Sequence, residues 1–294
     1  MVLNFIRGFC MALADSVPGV SGGTIAFLLG FYDKFIGSLN SLISGTKEER
    51  IDGIKFLIKI GIGWVVGFCM AILFITSVFD SHIYEISSLF IGFILFALPI
   101  IIIEEKDTIK GRYLSMIYVV FGALLVCGIT YLSGNTMNDG INLAAGKFSV
   151  VTGVLLFLSG VVAISAMVLP GISGSTVLMI FGLYIPITNA VKDVLHLELE
   201  YVPALFLFGI GVISGALLVV KFIRKALESF RPQTIYFILG MMLGSVYSII
   251  NGATTLDEPK EALSLSTFSI VFFIIGGIII IGLQLLKLVV SKED

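Results

Sequence analysis

A chain of 294 residues that is 57% hydrophobic and 13% charged, with a mean hydropathy of +1.09, is too apolar for a water-soluble domain, where roughly 25% of residues carry charge. A net charge of -2, with basic residues split among short polar stretches, argues against a nucleic-acid partner. The three cysteines, Cys10, Cys69 and Cys127, lie in apolar runs and are odd in number, which points to buried inert thiols rather than disulfides.

The first element, residues 3–36, starts apolar with Arg7 near its beginning and superficially has the look of a signal peptide. It is expected to belong to the mature fold, because its motif is written again in mid-chain. Residues 14–32 read Ala-Asp-Ser-Val-Pro-Gly-Val-Ser-Gly-Gly-Thr-Ile-Ala-Phe-Leu-Leu-Gly-Phe-Tyr, and residues 166–184 match them at an offset of 152 in eight of nineteen positions. The identities are Ala14/Ala166, Pro18/Pro170, Gly19/Gly171, Ser21/Ser173, Gly22/Gly174, Thr24/Thr176, Gly30/Gly182 and Tyr32/Tyr184. A repeat this long indicates duplicated architecture.

Three apolar runs follow each motif. In the first repeat, residues 1–135, they are about 60–79, 86–103 and 113–132; in the second, residues 147–290, about 201–220, 233–250 and 267–286. Each is long enough to cross the hydrocarbon as a helix. Glycines recur at matching places, Gly61, Gly63 and Gly67 against Gly209, Gly211 and Gly215, and Gly122 and Gly128 against Gly276 and Gly282. Close helix packing of the small-xxx-small kind accounts for them, and no strand or Gly-Lys-Ser/Thr accompanies them to make a nucleotide loop.

The hand of the duplication is read from charge, since cytoplasmic loops carry the excess of Lys and Arg. Residues 44–59 hold four, 104–112 three, 221–231 four and the end from Lys287 two; residues 80–85 hold none, and 133–147, 190–200 and 251–266 hold one each. The alternation requires residues 148–189 to enter and leave on the same external side. The second motif is therefore expected to be a re-entrant helical hairpin, and the first, residues 3–36, a hairpin entering from the cytoplasm. A hairpin plus three spans inverts the next repeat. The expected fold is an all-α integral membrane protein of two inverted-topology repeats, multi-pass, with both termini cytoplasmic. This is a secondary-transporter architecture.

At the tips, Pro18-Gly19 and Pro170-Gly171 would end one half-helix. Ser21 and Ser173 would cap the next, with Gly22, Gly23, Thr24 and Gly174, Ser175, Thr176 in its first turn. Free N–H groups and the positive dipole end there suit a phosphate or carboxylate, or else the small residues let two tips pack. Asp15, matched by Met167, lies deep in the hydrocarbon, where an ionisable side chain is a functional hypothesis by default. Either it carries a coupling proton or cation, or it caps backbone N–H groups. Arg7, matched by Ser159, either reaches the phosphate or snorkels to the headgroups. Tyr32 and Tyr184 read as interface anchors. His82 and His196 fall in expected external loops where the sequence offers no Cys or acidic residues at metal spacing, so a metal is not expected; nor is a cofactor, or a nucleophile paired with a base.

The paired motifs resemble the bacterial PopT family of polyprenyl-phosphate transporters, over essentially the whole chain. The resemblance implies transport of undecaprenyl phosphate from the outer leaflet of the bacterial plasma membrane to the cytoplasmic leaflet for carrier-lipid recycling, with Asp15, Ser21, Gly22, Thr24, Ser173, Gly174 and Thr176 as the motif residues. Its partners would be that lipid and the surrounding membrane. The Pro-Gly-x-Ser segment is also similar to the membrane phosphatase that acts on undecaprenyl diphosphate. Gly22 and Gly174 stand where that enzyme's arginine would be, and no acidic pair adjoins either tip, which sets the enzyme below the transporter. A carrier of a small organic or phosphate anion is the third reading. The residues leave the coupling ion, tail length, type of motion and oligomeric state open.

Overall fold

The computed structural model describes residues 2–15, 21–70, 76–134, 143–144, 149–195, 197–255 and 260–290. Pro18, Gly19 and His196 lie outside them. All regular structure among the described residues is helical. Five stretches are long and apolar enough to cross a membrane, His82–Glu104, Tyr113–Leu132, Val150–Val168, Leu199–Ser229 and Arg231–Thr254. The chain is a multi-pass all-α membrane protein.

The first half contains α1 (Val2–Asp15), α2 (Gly22–Leu28), α3 (Tyr32–Ser44), α4 (Lys47–Met70), α5 (Thr76–Glu104), α6 (Lys106–Ile109) and α7 (Ile117–Gly134). The second contains α8 (Val150–Val168), α9 (Gly174–Ile180), α10 (Tyr184–Leu195), α11 (Val202–Ser229), α12 (Arg231–Asn251) and α13 (Ile270–Val290).

Local chemistry sets several of these boundaries. Pro203 and Pro232 stand in the first turns of α11 and α12, where a missing N–H costs nothing. The polar stretch 44–59, expected as a connection, is helical from Lys47 on. The reason is a capping box: the Thr46 N–H donates to Glu49 Oε2 at 2.8 Å and the Glu49 N–H to Thr46 Oγ1 at 3.3 Å. Those contacts hold the Glu49 carboxyl below its usual range. Its folded-state value being the lower one, the cap's contribution is present at neutral pH and is lost as acidification protonates it. Thr46→Ala is expected to destabilise the protein by about 1 kcal/mol, read as a lower thermal midpoint in detergent.

Both short helices end the same way. Gly30 and Gly182 each have φ +65°, a left-handed conformation that glycine takes without strain. The Gly30 and Phe31 N–H groups return to the Phe27 and Ala26 carbonyls, and the Gly182 and Leu183 N–H groups to Met179 and Leu178, all at 2.9 to 3.0 Å. These are two copies of one Schellman turn, which satisfies carbonyls that the helix end would orphan.

Four tight helix crossings follow, α1 with α4 and α8 with α11 inside each half, and α5 with α13 and α7 with α12 between the halves. Glycine makes each possible. A side chain at Gly8 or Gly63 would land on the Ile60 or Phe5 carbonyl, and one at Gly160 or Gly211 on that of Phe208 or Phe157, so the α1·α4 crossing is repeated by α8·α11. In the other two crossings the halves exchange helices. Gly92 of α5 faces the Phe273 carbonyl of α13 and Gly276 faces Leu89, while Gly240 of α12 faces Val119 of α7 and Gly122 faces Phe237. At the end of α5, Arg231 binds Glu105 through Nε at 3.2 Å and Asp33 of α3 through Nη1 at 2.8 Å, tying α12 to both.

Candidate functional site

The two repeated motifs meet inside the protein, and the second one's helix break explains why. After α8 the chain bends at Gly171, φ +94°, leaving the carbonyls of Val168 and Leu169 and the Gly171 N–H without helical partners. Side chains of the first motif supply them. Tyr32 Oη donates to the Val168 carbonyl at 3.2 Å, Ser21 Oγ to the Leu169 carbonyl at 3.3 Å, and Thr24 Oγ1 accepts from the Gly171 N–H at 2.8 Å. Ser21 also caps α2 by accepting from the Thr24 N–H at 3.2 Å. Gly23 completes the contact: a Cβ there would lie 2.6 Å from the Val168 carbonyl oxygen.

Tyr32 is therefore corrected from an interface anchor to a core residue. It is 2% exposed, because its hydroxyl serves a carbonyl that the break in α8 strands in the interior.

Asp15, the last residue of α1, turns its carboxylate onto two donors. Oδ1 accepts from the Gly22 N–H at 2.6 Å and Oδ2 from the Trp64 indole N–H at 2.9 Å. The carboxylate thus joins α1, α2 and α4. It faces a cavity of about 270 Å³ lined by Met11, Gly22, Gly23, Trp64, Met167 and Val168, with Phe35, Leu57, Ile60, Gly61, Val65 and Ile164. Among the described residues lining it, Asp15 is the one ionisable group. The cavity reaches the outer side of α4, where Val65 is half exposed and a Cβ at Gly61 would meet open space.

Of the residues singled out in the sequence, Asp15, Ser21, Gly22, Gly23 and Thr24 come together here, and Gly22 and Gly23 line the cavity. Ser173, Gly174 and Thr176 sit at the start of α9, with Ser175 in the same turn, and do not line it; α8 contributes Ile164, Met167 and Val168 instead. Pro170 and Gly171 are buried at the break. Arg7 is not brought to the tip. It precedes Asp15 by eight residues of one helix, about 12 Å along the axis, and its guanidinium lies 4.8 Å from the Phe31 ring and donates to Asn4 Oδ1 at 3.0 Å.

Sequence reasoning missed Trp64. The available signal was a lone tryptophan flanked by Gly63 and Gly67, the glycines that press α4 onto α1. Among the described residues no group of three or more His, Cys, Asp or Glu is placed to hold a metal ion.

The family described as VCA0040-like, undecaprenyl phosphate translocase-like, matches residues 11–267. A Vibrio cholerae protein named polyprenyl-phosphate transporter is 31% identical over 258 residues, covering 84% of this chain and 76% of its own. A Staphylococcus aureus protein of the same name is 32% identical over 283 residues, 94% of each chain. No solved structure matches the chain.

Proposed function

From the premise that this chain belongs to the undecaprenyl phosphate translocase-like family, we propose that it carries undecaprenyl phosphate across the bacterial plasma membrane to the cytoplasmic leaflet, as a carrier and not an enzyme. Two relatives named polyprenyl-phosphate transporter support the substrate class. The observation that carries a mechanism is the Asp15 carboxylate, held by two N–H donors at the floor of an apolar cavity.

A phosphate charge about 4 Å from an ionised carboxylate is repelled by about 4 kcal/mol at the effective dielectric near a protein surface, and more strongly in a drier site. Phosphate and ionised Asp15 therefore do not share this cavity. A proton or a cation must neutralise Asp15 before the head group enters, and that requirement couples lipid movement to an ion. With Asp15 neutral, Gly22 and Gly23 line the first tip's anion cradle, which the hydroxyls of Ser21 and Thr24 join once the tips part and free them from Leu169 and Gly171; Ser173, Gly174, Ser175 and Thr176 form the second tip's. The apolar tail stays in lipid, reached past Gly61. Arg7, near the start of α1, meets the phosphate at the cytoplasmic end of the path rather than at the tip.

In this reading the two halves are inverted repeats, each a re-entrant hairpin with three spans, and both termini are cytoplasmic. The repeated α1·α4 and α8·α11 crossings and the partner exchange of the other four helices are what a two-fold relation between halves produces. The loop charges favour placing that axis in the membrane plane. The length of α8 alone would permit a crossing, but α9, at seven residues, is about 10 Å long and cannot complete a return span by itself.

The test is reconstitution in liposomes with undecaprenyl phosphate, timing how fast outer-leaflet head groups become protected from an external phosphatase. Protein-dependent protection accelerated by a pH or cation gradient is expected. Asp15→Asn should slow it at least tenfold and remove the response to the gradient. Protection no faster than in empty liposomes would reject the lipid substrate and favour a small anion; phosphate released from the diphosphate would mark an enzyme.

A further inference from the structure

Trp64, on α4, is the one tryptophan of the chain. Three observations separate it from a packing residue. Its indole N–H donates to Asp15 Oδ2 at 2.9 Å, across 49 residues of sequence and from a different helix. Its ring is stacked on Phe68, one turn further along α4, with centroids 4.8 Å apart and planes within 9°, which fixes the direction in which that N–H points. The backbone beneath it is pinned as well, since Gly8 of α1 packs on the Trp64 amide nitrogen and Gly63 and Gly67 pack on Phe5 and Phe9.

The duplicated half supplies a comparison within the same chain. The α8·α11 crossing keeps the glycines, with Gly211 and Gly215 in the places of Gly63 and Gly67. At the positions matching Asp15 and Trp64 stand Met167 and Val212. The crossing is built without the pair, so the crossing does not require it. The acid and its donor are present together in one copy and absent together in the other.

We propose that Trp64 is the positioning residue of Asp15, holding the carboxylate between α4 and the first turn of α2 in its charged form and releasing it on neutralisation. Indole is a donor without acceptor capacity. It can serve the carboxylate but cannot take its proton. Its bond to an ionised oxygen is charge-assisted and roughly twice as strong as the bond to a neutral one. Arrival of the coupling ion thus loosens the link between α1 and α4 at the floor of the cavity, where the head group must enter. This role rests on the carrier reading of Asp15 given above.

The experiment compares the wild type, Trp64→Phe, Asp15→Asn and the double variant in the undecaprenyl phosphate protection assay. Phenylalanine keeps the stack on Phe68 and loses the donor. Trp64→Phe is expected to slow transport roughly tenfold, the scale of a lost hydrogen bond to a charged group. Added to Asp15→Asn it should cost nothing further, because its effect passes through the carboxylate. Trp64→Phe losing the same factor in the Asp15→Asn background would overturn the proposal, as would Trp64→Phe at wild-type rate while Asp15→Asn is slow. Asp15→Asn at wild-type rate would instead reject the carrier reading of Asp15, and the proposal with it. A second measurement needs no substitution at Trp64. As the single tryptophan, it alone sets the protein's indole emission, and Asp15→Asn, which offers one amide oxygen to two N–H donors, should change its wavelength or intensity. An unchanged spectrum would overturn the proposal.

Discussion

Gly63→Ala and Gly211→Ala are expected to destabilise the protein by about 1 to 3 kcal/mol each, the usual cost of forcing a methyl into a filled site, whereas Gly61→Ala and Gly209→Ala are expected to be neutral or slightly stabilising. The two members of each pair are two residues apart on one helix and differ only in what they face. A methyl at Gly63 would strike the Phe5 carbonyl and one at Gly211 the Phe157 carbonyl, both backbone atoms of a packed helix that cannot swing aside. A methyl at Gly61 or Gly209 would meet nothing within 4 Å, and alanine is the better helix former by about 1 kcal/mol. Separating α1 from α4 would also draw Trp64 away from Asp15, so Gly63→Ala should lower transport beyond its cost in stability. Gly211→Ala, whose crossing carries no such pair, should lower stability without that added loss. Thermal unfolding in detergent and the protection assay at a temperature where all variants are folded would check both statements.

That contrast also shows how far a sequence can be read here. The Gly-x-Gly-x-x-x-Gly patterns were visible as helix packing, and for Gly63 and Gly67 the structure has that packing; Gly61 looks the same in the sequence but faces open space. Spacing tells which residues share a helix face, not which face meets a neighbour. Of the two breaks read at Pro-Gly, Pro18-Gly19 lies outside the described residues, and after Pro170 the Gly171 backbone takes a conformation that a side chain resists. What lay beyond reach were contacts set by tertiary register. Tyr32 looked like a tyrosine at a helix exit, and its burial follows only once α8 ends at Val168 beside it. Asp15 was visible as a charge at depth, with coupling and capping both open. It does cap, through Gly22, but a carboxylate needs both oxygens served, and nothing in the local sequence points to an indole 49 residues on. The helical start of α4 at Lys47 was masked by its charge, although Thr46 and Glu49 spelled the capping box.

Thr24→Val tests whether the two tips act as one body. Thr24 is 1% exposed, and its Oγ1 both accepts the Gly171 N–H at 2.8 Å and lies 3.0 Å from Ser21 Oγ. Valine has the same shape and no acceptor, so the Gly171 N–H is left buried and unsatisfied, which costs about 1 to 3 kcal/mol. Thr24→Ser keeps the oxygen and should recover most of that loss, separating the hydrogen bond from the missing methyl. Gly171 cannot move to another acceptor easily, because a Cβ at its position would already press on the Met241 carbonyl and its backbone is held at φ +94°. If a moving head group must part the tips, this bond resists the parting. Thr24→Val would then weaken the contact that holds the two motifs together, besides giving up one hydroxyl of the proposed cradle, and the cavity would open toward both membrane faces together. The expected signature is a lower thermal midpoint with an ion leak in protein-containing liposomes that Thr24→Ser does not show. A tight, fully active Thr24→Val protein would mean that Ser21 and Tyr32, through Leu169 and Val168, hold the tips together without it.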